Sequence, residues 1–540
     1  MRTYATCVLF VVAACCLRAA CATAGDTPSR PNIVVILADD MGFSDLGCYG
    51  SEIETPNLDQ LAAGGLRFTQ FYNTGRCCPT RAALLTGLYP HQAGMGHMTD
   101  DRGQDGYRGD LNANCVTIAE VLRDAGYSTF MVGKWHVTRF DAPKTAPDQR
   151  FNWPLQRGFD RYFGVLKGTC DYFEPNGLFL DNEHQRNVEP GFYTTDAFVD
   201  RAIRFIAERP KDRPFFLYTA FNAPHFPVQA PADAIAKYRG RYKAGWDALR
   251  ERRRARQIEL GIIDEKWALS PRSRQVKAWD SLTASEQDRF DEMMAVYAAC
   301  VERMDRAVGR LVESLRAGGA LENTLILFMS DNGGNAETGP NGHLEGDPSR
   351  AGTRSHCGES WASLQNTPFR EYKHFNHEGG IATPLVVHWP AGVSARGELR
   401  TEPSHLIDIM PTCVAVSGAS YPTDRNATPV LRMEGLSLLP AFANEPLQRD
   451  ALYWEHEGNA AVRKGTWKLV RMHRKGPWEL YDMANDRTEL QDLAASERPR
   501  AKALEDQWNA WAVRAKVVPY PEEPRKSRAR KEAASAWPAK

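Results

Sequence analysis

The 540-residue chain has no excess of charge: Lys and Arg number 67, Asp and Glu number 67, and the formal net charge is zero. No global field draws it to nucleic acid or to an anionic membrane, so any partner must be recognised locally. It also lacks a long hydrophobic run. The apolar stretch over residues 5–17 is about 13 residues long, short of the roughly 20 that span a bilayer, and nothing later is longer. No stable membrane span is expected. Cysteine is sparse: four of the twelve (Cys7, Cys15, Cys16 and Cys21) fall within the first 24 residues. The remaining eight, Cys48, Cys77, Cys78, Cys115, Cys170, Cys300, Cys357 and Cys413, form no spaced Cys/His metal cluster. With 43% hydrophobic and 25% charged residues, the composition excludes disorder, collagen-like repeats and a small disulfide-stapled scaffold.

What is present begins with an export signal. Arg2 precedes the apolar stretch, and Ala22-Thr23-Ala24 has the small-x-small form of a cleavage site. Residues 1–24 are therefore set apart, and a periplasmic or secreted destination is expected. Val12-Ala13-Ala14-Cys15 resembles an acylation site, but the apolar stretch ahead of it is short for a lipoprotein anchor. An oxidising compartment permits disulfides whose pairing the sequence does not give.

Four continuous apolar runs organise the next 300 or so residues: 32–38, 127–132, 214–221 and 324–329. Each ends in polar residues, respectively Asp39-Asp40, Gly133-Lys134-Trp135-His136, Asn222-Ala223-Pro224-His225 and Ser330-Asp331-Asn332-Gly333. Runs without alternation suit strands covered on both faces. A helical pattern at 117–125, with Thr117 and Glu120 as a capping box and Gly126 as a stop, lies between two of them. Strands alternating with helices predict an α/β three-layer sandwich with a large, mostly parallel sheet over residues 31–420, its ligands beyond the carboxyl ends of the strands.

After residue 420 shorter segments at 451–454, 459–463, 467–471 and 478–481, then a helix near 501–512, predict a smaller α+β domain over 421–520. The Pro- and charge-rich tail, 521–540, is expected to be disordered. Residues 239–256 carry eight basic side chains against Asp247 and Glu251. A polyanion site is conceivable there, but a surface helix or insertion is the favoured reading.

Asp39-Asp40 sets two carboxylates side by side where a strand meets a loop, and such a pair asks for a metal or basic partners. Asp331-Asn332 repeats the arrangement. Together they offer an all-oxygen set suited to Ca²⁺ or Mg²⁺ rather than zinc, although each pair alone could equally be a cap or a turn. Lys134 and His136 are two residues apart, so strand geometry predicts that both point to one face. Cys77 opens a predicted helix with Pro79 in the first turn, Arg81 one turn on and Gly87 as the stop. A buried structural thiol is the ordinary fate of such a cysteine.

Cys77, Pro79, Arg81, Thr86 and Gly87 spell Cys-x-Pro-x-Arg-x-x-x-x-Thr-Gly, which resembles the signature of the type I sulfatases, the formylglycine-dependent branch of the alkaline phosphatase superfamily. The resemblance runs on through the four strand ends to Lys373, Glu378-Gly379-Gly380 and Glu479-Leu480-Tyr481-Asp482, and is similar to the bacterial arylsulfatase branch. His377 departs from it where relatives often carry an aromatic residue, which puts substrate preference in question.

The resemblance implies that Cys77 is oxidised to formylglycine by a formylglycine-generating enzyme, Cys78 being the variable position. Asp39, Asp40, Asp331, Asn332 and residue 77 would bind one divalent cation, Ca²⁺ ahead of Mg²⁺. A hydroxyl of the aldehyde hydrate would attack sulfur, with Asp331 accepting its proton and His225 and Lys373 serving the departing oxygen. His136 would then expel sulfate by deprotonating the second hydroxyl, while Arg81 and Lys134 hold the hydrate. The substrate would be a small-molecule or carbohydrate sulfate ester, chosen by loops at 94–110, 164–180 and 343–365. The competing readings are a phosphate or phosphonate hydrolase of the same superfamily, a dizinc phosphatase, and a non-catalytic binder of sulfated glycans.

Overall fold

Strand Asn32–Ala38 runs through the middle of the molecule. Ile33, Val35 and Leu37 pack into one core and Val34, Ile36 and Ala38 into another, and all six are fully buried. A strand covered on both faces needs no polar alternation, and each large apolar side chain contributes about 1.5–3 kcal/mol by leaving water. The structure, a computed structural model, describes residues 30–139 and 149–521. The expected export signal and the tail from residue 522 lie outside the described residues.

The main sheet has eleven strands. Its order is Glu398–Arg400, Leu66–Tyr72, Ala382–His388, Thr324–Ser330, Asn32–Ala38, Phe215–Ala220, Ser128–Lys134, Arg161–Val165, Leu178–Leu180 and Glu183–Gln185, with Ser404–His405 beside Leu66–Tyr72. The four central strands are parallel and in step: Ala38 pairs with Ser330, and both Leu37 and Gly133 pair with Ala220. Ala382–His388 runs antiparallel, which makes the sheet mixed. All four polar strand ends therefore open on one edge.

Helices Thr194–Glu208 and Ala284–Ala317 cover one face; Cys77–Thr86, Ile118–Asp124 and Ile409–Ser417 cover the other. The Thr117–Glu120 capping box is present in both directions. This is the three-layer sandwich that the strand pattern predicts.

The small unit is a four-stranded antiparallel sheet, Leu452–His456, Asn459–Lys464, Trp467–Arg471 and Glu479–Asp482, overlaid by helix Arg498–Arg514 through Leu504, Trp508 and Trp511. It is joined to the large sheet by buried charge. Glu378 takes Lys468 Nζ at 2.8 Å and Arg487 Nε at 2.9 Å, and all three side chains are fully buried.

The basic run is largely an exposed surface helix and the turn before it, as expected, with Arg250 and Arg253 turned inward. Within helix Gly245–Glu259, Arg253 is buried and bridges Asp45 at 2.7 Å and Glu52 at 2.8 Å, while Arg239 reaches Asp288 and Asp291. The planar guanidinium fork binds two carboxylates at once, so these charges staple loops rather than await a polyanion. Among the described residues the eight cysteines are free, and no helix is long and apolar enough to cross a membrane.

Candidate active site

Asp39-Asp40 and Asp331-Asn332 follow directly on paired residues Ala38 and Ser330, so strand register alone sets the two polar pairs side by side. Asp40 has φ 67, a left-handed conformation, and one of its carboxylate oxygens stays within 4.8 Å of one of Asp39. Lys134 Nζ donates to Asp39 Oδ2 at 2.6 Å, and Arg81 Nη2 lies 3.5 Å from the same oxygen. Asp40 instead takes Lys373 Nζ at 2.8 Å, Asn332 Nδ2 at 2.7 Å and Asn335 Nδ2 at 2.6 Å. Asp331 Oδ2 accepts from Arg81 Nη2 at 2.8 Å.

Cys77 faces this group from the first turn of helix Cys77–Thr86, where unpaired backbone N–H groups favour negative charge. A hydrogen bond with Cys78, followed by the charges of Lys134 and His136, holds the Cys77 thiol well below the ordinary thiol value despite complete burial. Burial pushes Cys78 the other way. His136 Nε2 lies 3.2 Å from Cys78 Sγ.

The route by which His136 arrives differs from the expectation. Its strand ends at Lys134, and His136 sits beyond it at φ 57, so a turn rather than strand alternation brings the imidazole to the thiols. The turn passes against Gly168, where an added Cβ would stand 2.4 Å from His136 Cε1.

His225 donates from Nδ1 to Phe226 O at 2.7 Å, which leaves Nε2 as a bare acceptor 3.4 Å from Lys373 Nζ and 3.5 Å from Asp40 Oδ2. Burial depresses both His136 and His225 to about 4. Burial works against ionised Asp40, but His225 and Lys373 outweigh it and hold the carboxyl low. Asp331 goes the opposite way: burial and the neighbouring charge of Asp39 raise it well above the carboxylate range.

The structure thus brings together all ten residues singled out in the sequence: Asp39, Asp40, Cys77, Arg81, Lys134, His136, His225, Asp331, Asn332 and Lys373. Three more belong with them. Asn335 and Glu337 hold Asp40 and Lys373, the latter at 3.3 Å, and Gly168 clears space for His136. None of the three was read from sequence: Asn335 lies beyond the Ser330-Asp331-Asn332-Gly333 burst, and Glu337 and Gly168 carry no local pattern.

His377 does not line the cluster. It is buried with Nε2 3.2 Å from Glu479 Oε2, at the junction with the small unit, which removes the basis for tying it to substrate preference. In the adjacent Glu378-Gly379-Gly380, a Cβ on Gly379 would meet Glu371 O at 2.2 Å, so the motif is a close crossing of backbones.

Donor atoms of Asp39, Asp40 and His225 lie within 4.8 Å of one another, as do those of Cys77, Cys78 and His136. Asp39 Oδ1 and Asn332 Oδ1 are buried without a hydrogen-bond donor among the described residues. Two orphaned oxygens beside a carboxyl that resists ionising mark a place short of positive charge, and a hard cation meets that need.

The fold class is alkaline phosphatase-like, and the candidate site lies at the carboxyl edge of the parallel strands. Within that class the chain belongs to the sulfatase family of sulfuric ester hydrolases: the family model described as Sulfatase matches residues 31–419, and one described as N-sulphoglucosamine sulphohydrolase, C-terminal, matches residues 370–510. An uncharacterised sulfatase of Schizosaccharomyces pombe is 33% identical over 538 residues, covering 92% of this chain and 95% of its own. An arylsulfatase of Klebsiella aerogenes is 35% identical over 434 residues, 76% of this chain and 91% of that one. The crystal structure of Ps i-CgsB is similar with a TM-score of 0.68 at 27% identity, over 94% of this chain and 98% of that one; its complex with k-i-k-neocarrahexaose scores 0.67.

Proposed function

We propose that this protein hydrolyses sulfate monoesters to an alcohol or phenol and inorganic sulfate at residue 77, after a formylglycine-generating enzyme has oxidised Cys77. The observation that carries this reading is the convergence on one acidified thiol of three carboxylates, three fixed cations and two neutral imidazoles. Formylglycine would supply the nucleophile, as the hydroxyl of an aldehyde hydrate. Asp39, Asp40, Asp331, Asn332 and residue 77 would hold one divalent cation, a hard ion suited to this oxygen set, with Ca²⁺ the proposed ion and Mg²⁺ the alternative. The ion would add Lewis-acid charge where the sulfate oxygens gather.

The chain's own groups divide the remaining tasks. Arg81 and Lys134 fix positive charge beside residue 77 and offset Asp39 and Asp331. Asp331, which Arg81 and the cation would keep ionised against its burial, accepts a proton from residue 77. His136 is neutral at ordinary pH, so Nε2 takes a second proton on the same side. Across the site, Lys373 is held cationic by Asp40 and donates toward the bare Nε2 of His225. An entering sulfate ester brings negative charge that favours an imidazolium there, and the pair can then protonate the departing oxygen.

The substrate class is a small-molecule or carbohydrate sulfate, a reading supported by the oligosaccharide complex of Ps i-CgsB. Export directed by residues 1–24 belongs to the same proposal. Two measurements test the whole: peptide mass at position 77, where conversion removes about 18 Da from cysteine, and hydrolysis of nitrophenyl sulfate beside nitrophenyl phosphate. Modified protein that prefers the phosphate, or unmodified thiol protein with full sulfatase turnover, would refute it.

A further inference from the structure

At the turn between strands Leu452–His456 and Asn459–Lys464, three histidines gather around Glu457, away from the Asp39–Asp40 cluster. His97 Nε2 lies 2.7 Å from Glu457 Oε1, and His374 Nδ1 lies 3.5 Å from Oε2. His456 is fully buried between the other two imidazoles, its ring centroid 5.9 Å from that of His97 and 5.8 Å from that of His374. Yet neither of its ring nitrogens has a hydrogen-bond partner among the described residues. One donor atom each from His374, His456 and Glu457 lies within 4.8 Å of the other two.

A buried imidazole with both nitrogens unmet carries the full cost of desolvating two polar atoms, so the fold has reason to retain it only if something fills the gap. Two imidazoles and a carboxylate are the donor set of three-ligand zinc sites, softer than the all-oxygen set at Asp39 and Asp40. In a tetrahedral shell with bonds of about 2.0 Å, ligand atoms stand about 3.3 Å apart, which small side-chain rotations would reach from the separation seen here. The remaining neighbours act as an outer shell. His97 orients Glu457, while His374 Nε2 contacts Glu337 Oε1 at 3.1 Å, and Arg76 pairs with the same carboxylate at 2.8 Å.

The geometry points to a second metal site, in which His374, His456 and Glu457 bind a zinc-class divalent ion. His374 follows Lys373 directly on the catalytic unit, whereas His456 and Glu457 come from the small unit. The ion therefore clips the two units together at the rim of the site. This inference stands independently of the hydrolytic reading.

The test is calorimetric titration of zinc chloride into chelator-stripped, full-length Cys77→Ala protein held in excess calcium chloride, so that neither the Cys77 thiol nor the Asp39–Asp40 cluster takes up the zinc. One equivalent is expected to bind, and zinc is expected to raise the Tm. His456→Ala and Glu457→Gln, made in the same background, should each weaken binding by at least the roughly 10–100-fold that follows loss of an outer-shell partner. Glu457→Gln, at a partly exposed turn, keeps the test decisive if the buried His456 variant fails to fold. Cobalt(II) in place of zinc should give visible d–d bands with no sulfur-to-metal charge transfer. Absence of binding to the folded protein, equal affinity in Glu457→Gln, or a thiolate charge-transfer band would overturn the assignment.

Discussion

In the proposed reaction, turnover depends on Cys77. Cys77→Ala removes the proposed nucleophile from a helix start that its neighbours continue to define, so circular dichroism and Tm should match the unsubstituted protein while nitrophenyl sulfate hydrolysis falls to background; an active variant would sink the assignment. Gly168→Ala acts at one remove. Its new Cβ would press on His136 at 2.4 Å, and a displacement of about 1 Å of a proton-transfer group costs on the order of 100-fold. That loss should appear in kcat with KM little changed, because His136 faces residue 77 rather than the ester's organic group. Single residues were legible where chemistry forced an unusual neighbour, as with Asp39-Asp40 or the Cys77 motif. Glu337 and Gly168 were not, since a lone Glu or Gly in a loop has many ordinary uses and its role depends on residues far along the chain.

Strand ends carried most of the legible information. The four apolar runs read correctly as buried strands because sheets covered on both faces leave no polar alternation to confuse the pattern. The short segments after residue 450 were equally readable from their turn residues. Alternation failed at His136 because the strand had already ended at Lys134, and element boundaries are set by tertiary hydrogen bonds that no local pattern records. Helix Cys77–Thr86 is stopped by Gly87 at φ 68, where a Cβ would stand 2.8 Å from Met410 Cβ. Gly87→Ala should therefore lower the unfolding free energy by about 1–3 kcal/mol in denaturant titrations while leaving kcat per folded molecule unchanged. A large fall in kcat with stability intact would show that the stop also tunes the thiol.

The two sheets are coupled through Glu378, a group whose pairing only the folded molecule reveals. Burial alone would raise its pKa, but Lys468 and Arg487 outweigh that and hold it at about 2, down from 4.5. A depressed carboxyl pKa adds stability that is fully present above the unfolded value and lost as pH falls through the folded one, here between about pH 4.5 and 2. The shift corresponds to about 3 kcal/mol. Urea unfolding followed across this range should show the loss in the unsubstituted protein and a flatter profile in Glu378→Gln, which should also be about 3–5 kcal/mol less stable at neutral pH. Identical pH slopes in the two proteins would rule the coupling out. Lys373 lies five residues before this anchor, and the loop that carries both is closed where Gly379 packs against the backbone of Arg370 and Glu371. The segment that carries Lys373, the proposed leaving-group cation, is therefore moored to the terminal sheet as well as to the parallel one. The smaller lobe cannot be exchanged like an accessory cassette: trimming it would untie a rope that also steadies the reaction centre.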